Sequence, residues 1–101
     1  MTSDRVPPSE CETMIQVRAG VDRLDREIVA LLAERFRYME AAARIKPDRN
    51  EVRDEARKAQ VLANVRRSAA SEPMPVDAIV LLYEQLVETS IAYELECFDA
   101  A

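Results

Sequence analysis

The sequence predicts an all-α domain of three helices per chain, one long and N-terminal and two shorter. Three observations carry that prediction. The 101 residues hold one Gly and no Trp, and strong helix formers (Ala, Leu, Glu, Arg) dominate. One glycine leaves few positions for the tight turns of β-hairpins. Apolar residues recur at heptad steps, and prolines at 47, 73 and 75 divide the chain into three helix-sized runs. A chain this short buries only a modest core. Three helices make a thin layer, so association with a second copy is expected.

Residues 1–8 read as a loose tail that Pro7 and Pro8 close, with one domain over 9–101. Ser9 and Glu12 form an S-x-x-E capping pattern at the expected start of the first helix. Val17, Val21, Leu24, Ile28, Leu31, Arg35, Tyr38, Ala42 and Ile45 then alternate in steps of four and three. Heptad spacing held over about four heptads predicts one long helix packed along a seam. Pro47 ends it, because proline lacks the amide donor and disfavours helix just before it. A second helix is expected over about 51–69, with Val52, Ala56, Ala59, Leu62 and Val65 inward. Its stripe is weak and small in volume. After the loop at 70–75, a third helix is expected over about 76–98. Its stripe is Val76, Ile79, Tyr83, Leu86, Ser90, Glu94 and Cys97, flanked by Val80, Val87 and Ile91.

The formal net charge of −5 argues against a nucleic-acid partner, which needs a basic face. Basic residues nonetheless recur between Arg35 and Arg67, and a local basic pocket would suit a small anion. Two cysteines, Cys11 and Cys97, without C-x-x-C spacing and without any His, do not make the usual zinc set. Reduced thiols, no apolar signal-peptide core and no long apolar run lead to a cytoplasmic chain off the membrane.

The informative residues are polar ones on apolar stripes. Arg35 sits on the seam between Leu31 and Tyr38, where a guanidinium is costly unless paired. A salt bridge within or between chains would explain it, and so would a ligand. Lys46 follows by eleven residues, which returns it to within roughly 20° of the same face. Taken alone, it is also a suitable cation for a helix C-terminus. Ser90 and Glu94 interrupt the third stripe at i and i+4; a Glu94–Arg35 structural pair would account for them. Arg18 lies about 25 Å before Arg35 and roughly 100° around the helix. It can join Arg35 at one small ligand only if two first helices pack antiparallel; otherwise it is a surface arginine. Asp54 and Arg57, at i and i+3, read by themselves as a surface ion pair.

Together these positions resemble the all-helical chorismate mutase family. The run VRAGVDRLDREIVALLAERFRYMEAAARIK is similar to that family's long first helix, which carries a Lys eleven residues after an Arg. VRDEARKAQVL resembles the start of its second helix. YEQLVETSIAYE resembles the third-helix segment with a Ser and, four residues on, a Gln or Glu. The resemblance implies an intertwined homodimer with two sites built from both chains. It also implies a small dianion, chorismate, as substrate, with no metal and no cofactor. Arg35 and Arg18 of the partner subunit would hold the carboxylates, and Lys46 the ether oxygen and a carboxylate. Arg57 and Ser90 would assist at the carboxylates, Asp54 would hold the ring hydroxyl, and Glu94 would lie at the ether oxygen. There are two departures. Lys58 stands where many members carry Glu, and Glu94 where many carry Gln.

The implied reaction is a pericyclic shift of chorismate to prephenate, on the route to phenylalanine and tyrosine. It needs a compact conformer and donors at the ether oxygen, where negative charge builds. Glu94 can donate there only when protonated, so mildly acidic solution is expected to favour turnover. Isochorismate pyruvate-lyase, which forms salicylate on the same scaffold, is the alternative enzyme; the run from Tyr38 to Lys46 suits it, whereas Ser90 and V-R-D lean to the mutase. A non-catalytic helical dimerisation module is the alternative outside enzymes, and it leaves Arg35, Ser90 and Glu94 without a purpose on their stripes.

Overall fold

The structure, a computed structural model, describes residues 5–101. Residues 1–4 of the expected tail lie outside the described residues. Three helices form: α1 at Met14–Ile45, α2 at Glu55–Ala70 and α3 at Val76–Ala100. Short 3-10 turns precede α1 at Pro8–Glu10 and α2 at Arg49–Glu51. There is no strand among the described residues, and no helix there is long and apolar enough to cross a membrane. The chain divides into two compact units, one ending at Arg35 and one over Phe36–Ala101.

In the first unit, the expected cap at Ser9 and Glu12 does not form. Ser9 is inside the 3-10 turn, where Glu10 and Cys11 amides donate to Pro7 and Pro8 carbonyls. The chain then leaves in an extended conformation at Cys11, and α1 begins four residues later than that pattern implied. The functioning capping box is Thr13 with Gln16. The Gln16 amide donates to Thr13 Oγ1 at 3.2 Å, and the Thr13 amide donates back to Gln16 Oε1 at 3.2 Å. The Glu12 amide shares that acceptor at 2.7 Å. Two side chains thus meet the Gln16 amide in the first turn of α1 and the two amides just before the helix. Further along, Glu27 accepts from Arg23 one turn before it at 3.3 Å.

The expected seam of α1 is largely solvent-exposed in the single chain. Leu24, Ile28 and Leu31 are 47%, 51% and 65% exposed, Tyr38 66% and Ile45 72%. Ala43 is the buried residue of this helix. Heptad spacing correctly gave one continuous helix, but one chain does not supply the surface that would cover its stripe.

The second unit is organised around α2 and α3. Arg66 pairs with Asp77 near the connecting loop at 2.9 Å, and Lys58 pairs with Glu88 at 2.7 Å two turns further on. The two helices therefore run antiparallel, as a short connection favours. Val52, Val87 and Ile91 are the buried centre, with Val61, Leu62, Tyr83, Leu95 and Phe98 packed against it. Helix α2 starts at Glu55 rather than 51 because Arg49–Glu51 form a 3-10 turn and Val52 is drawn into this core. Of its expected inward residues, Val52 is buried and Leu62 and Val65 half-buried, while Ala56 and Ala59 stay exposed. The stripe of α3 forms as expected, with Val87, Ser90, Ile91 and Glu94 buried. The segment of α1 after Phe36 joins it through an edge-on Phe36–Tyr93 ring contact at 5.2 Å.

Replacing Thr13 by Ala should lower stability by about 1 kcal/mol. In a domain of this size that is a fall in Tm of about 4–8 °C. Thr13→Ser should leave Tm unchanged, and thermal unfolding of both variants by circular dichroism checks the assignment.

Candidate functional site

The polar residues of the α3 stripe meet the end of α1. Ser90 and Glu94 are only 3% and 4% exposed, one helical turn apart. Pro47 stops α1 at Ile45, which leaves Lys46 as the first residue beyond it. From there Lys46 Nζ donates to Glu94 Oε2 at 2.7 Å. The lysine is neither a solvated terminal cation nor remote from the stripe; its side chain is 28% exposed against 5% for the glutamate. A carboxylate taken this far out of water needs a partner, and the ammonium is one. An ammonium has three donors, so the pair leaves Lys46 the capacity to meet a second acceptor.

Ser90 is back-bonded to its own helix: Oγ donates to the Leu86 carbonyl at 2.7 Å. That bond is how a buried hydroxyl is tolerated on an apolar stripe. The neighbourhood is fastened by two more α1–α3 links. The Tyr93 hydroxyl donates to Glu40 Oε2 at 2.5 Å. The Glu40 carboxylate, with a smaller effect from Cys97, holds the Tyr93 phenol above its ordinary pKa range. Arg49, in the turn after α1, pairs with Asp99 near the end of α3 at 2.9 Å. Hydrogen bonding between them raises the arginine and lowers the aspartate from their ordinary values. A pocket of about 370 Å³ opens beside Lys46, lined also by Glu40, Ala43, Arg44, Cys97, Phe98 and Ala101. Among the sequence-predicted site residues, Lys46 alone lines it.

Asp54 and Arg57 also meet, though not as the ion pair their spacing suggested. Asp54 is the N-cap of α2, and its Oδ1 accepts from the Arg57 backbone amide at 3.0 Å. The Arg57 guanidinium instead donates to Gln60 Oε1 at 2.7 Å. Capping wins because Asp54 is extended rather than helical, so its carboxyl reaches an orphan amide of the first turn. Both side chains remain exposed to solvent.

Arg18 and Arg35 belong to the first unit. Arg18 is exposed on α1, and Arg35, the last residue of that unit, is half-buried. The second unit thus holds Lys46, Asp54, Arg57, Ser90 and Glu94, and it brings together Lys46 with Glu94 and Asp54 with Arg57.

Sequence reasoning missed a charged clamp between α2 and α3. Glu88 Oε1 and Oε2 accept from Arg53 Nη2 and Nη1 at 2.6 and 3.2 Å, and Lys58 Nζ donates to Oε2 at 2.7 Å. Glu84, one turn earlier, lies 3.5 Å from the same ammonium. The Arg53 and then the Lys58 hydrogen bonds hold the Glu88 carboxyl down at about 2, and Glu88 holds Lys58 above its ordinary value. The available signal was the acid pair Glu84 and Glu88 on one face of α3, opposite cations at 53 and 58. Lys58 is thereby accounted for: it serves this clamp.

The sequence profile of the family described as chorismate mutase type II matches residues 17–95 of this chain. The isochorismate pyruvate lyase of Pseudomonas aeruginosa is 27% identical over 89 residues, covering 88% of each chain.

The clamp has a pH signature. A carboxyl lowered on folding contributes stability above its unfolded value near 4.5 and loses it as pH falls through about 2. Glu88→Gln should therefore be less stable than wild type at pH 5, and the Tm difference should shrink steadily by pH 3. A difference that stays constant over that range would refute the assignment.

Proposed function

This chain belongs to the chorismate mutase type II family, and on that premise we propose that it is a chorismate mutase, converting chorismate to prephenate at sites shared by two copies. The observation that carries the proposal is the pairing of half-buried Lys46 with buried Glu94, which brings an ammonium to a carboxyl set on an apolar stripe. Folding alone gains little from such a pair compared with apolar residues of similar size. A reaction that builds negative charge on an ether oxygen gains directly from a fixed ammonium in a partly dry setting.

In this reading Arg35 binds one carboxylate of chorismate through its planar fork. Arg18 of the partner subunit binds the other. Lys46 donates to the ether oxygen and a carboxylate with the protons Glu94 does not occupy. Glu94 orients Lys46 when ionised, and donates to the ether oxygen itself when protonated. Arg57 and Ser90 assist at the carboxylates, and Asp54 holds the ring hydroxyl. Binding in the compact, reactive conformer supplies the remainder, because no proton transfer or covalent intermediate is required.

Surface that one chain leaves open supports the homodimer. Val17, Val21, Leu24, Ile28, Leu31, Tyr38 and Ile45 of the α1 stripe are exposed, and a second α1 packed antiparallel would cover them. The same packing would carry Arg18 of one chain toward Arg35 of the other. Cys11 and Cys97 are free thiols, which agrees with a cytoplasmic enzyme.

A second reading, isochorismate pyruvate-lyase activity, is favoured by the similarity to the Pseudomonas aeruginosa enzyme. That reaction is also a pericyclic step on a dicarboxylate enol ether. Ser90 and the V-R-D run at 52–54 favour the mutase.

Purified protein should form prephenate from chorismate and leave isochorismate unchanged; salicylate formation would reverse the assignment. Arg35→Ala should lower kcat/KM at least about a hundredfold while sedimentation still reports a dimer. A non-catalytic dimerisation module would lose stability alone. Glu94→Ala should lower turnover with the dimer retained, because Lys46 loses the carboxylate that orients it; unchanged turnover in that variant would remove Glu94 from its role.

A further inference from the structure

We propose that Glu88 is a positioning residue: it fixes the Asp54–Arg57 turn against α3, and so sets that turn's distance from Ser90. The inference rests on the mutase reading, in which Asp54, Arg57 and Ser90 all contact substrate.

The turn carries two of those residues, and the hydrogen bonds of both stay within the turn and α2. Asp54 spends its carboxyl on the Arg57 amide, and the Arg57 guanidinium reaches back to Gln60. Their placement is therefore set by their chain neighbours. Arg53 directly precedes Asp54, and Lys58 directly follows Arg57. Both neighbours close on one carboxylate, that of Glu88. Arg53 engages both oxygens, which fixes direction as well as distance. Lys58 adds a second point of attachment, steadied by Glu84. Glu88 and Ser90 share one rigid helix, two residues apart. The turn is thus held at both ends to the helix that presents the serine.

The clamp's purpose is better explained by placement than by stability. Exposed ion pairs add little to folding, and Glu88 and Arg53 are 35% and 45% exposed in their side chains. Val61 and Leu62 of α2 pack on Val87 and Ile91 of α3 without it. Between buried Val52 and half-buried Val61 of α2, the core gives the first turn little support, because Glu55, Ala56 and Arg57 are all exposed. A pivot displaces Asp54 and Arg57 while the hairpin stays folded, and small displacements of binding groups are costly to a positioned substrate.

The experiment compares wild type, Glu88→Gln and Arg53→Gln in steady-state turnover of chorismate and in amide hydrogen exchange. Glu88→Gln should raise KM about tenfold with kcat held within about twofold. Exchange should quicken more at the Arg57 and Lys58 amides than at the amides of Val87 and Ile91, which should change only by the amount the fall in Tm implies. Arg53→Gln, which keeps the Lys58 arm, should show a smaller rise in KM. The proposal is overturned if KM is unchanged, or if exchange accelerates equally throughout α2 and α3. Should Glu88→Gln fail to fold, Arg53→Gln decides the matter by the same KM and exchange criteria. A wild type inactive on chorismate sinks the mutase reading instead; the clamp then stands or falls on the Arg57 and Lys58 amides.

Discussion

A carboxylate almost wholly withdrawn from water, with one ammonium 2.7 Å away, is the constraint around which this chain is arranged. Glu94 cannot occupy its place on the α3 stripe as an isolated ion, so Lys46 must be brought to it. Bringing Lys46 requires α1 to stop on time, and Pro47 provides the stop. It also requires the end of α1 to lie along α3, which the Phe36–Tyr93 contact and the Glu40–Tyr93 hydrogen bond secure. Arg49 and Asp99 hold the chain on the far side of the lysine. Each of these contacts is small by itself. Acting together they keep one charged pair in register in a place that an aliphatic pair would fill at lower cost.

Much of this was legible in the sequence, for reasons that concern periodicity. The third-helix stripe in steps of three and four put Ser90 and Glu94 inside, and both are buried. The position of Pro47 gave the end of α1 to within a residue or two. What was not legible lay between elements or at their ends. Ser9 and Glu12 satisfied the capping pattern, yet Pro8 drew Ser9 into a 3-10 turn, and Thr13 with Gln16 took the role. Asp54 and Arg57 had ion-pair spacing, but spacing assumes both residues are helical, and Asp54 is not. The Glu88 clamp joins residues 30 and 35 positions apart. No local window contains both partners, so only the juxtaposition of α2 and α3 reveals it.

The exposed stripe of α1 is the other lesson of the comparison between sequence and structure. Heptad spacing fixes what a helix wants to pack against, and it is silent on which molecule supplies the partner. In this chain Leu24, Ile28 and Leu31 stay open to solvent, while α2 and α3 build their own core around Val87 and Ile91. The result is a helix whose regularity exceeds the needs of a single polypeptide.

Lys58 shows how one surface lysine can reshape what variation the scaffold tolerates. An acid in place of Lys58 would face Glu84 and Glu88 at close range, with Arg53 to offset three negative charges. Positions 58, 84 and 88 are therefore tied into one electrostatic unit. Exchange of sequence between this chain and an acid-bearing cousin has to proceed in blocks that span both helices. A graft of the second helix alone would import repulsion into the hairpin, so inheritance at this spot is joint.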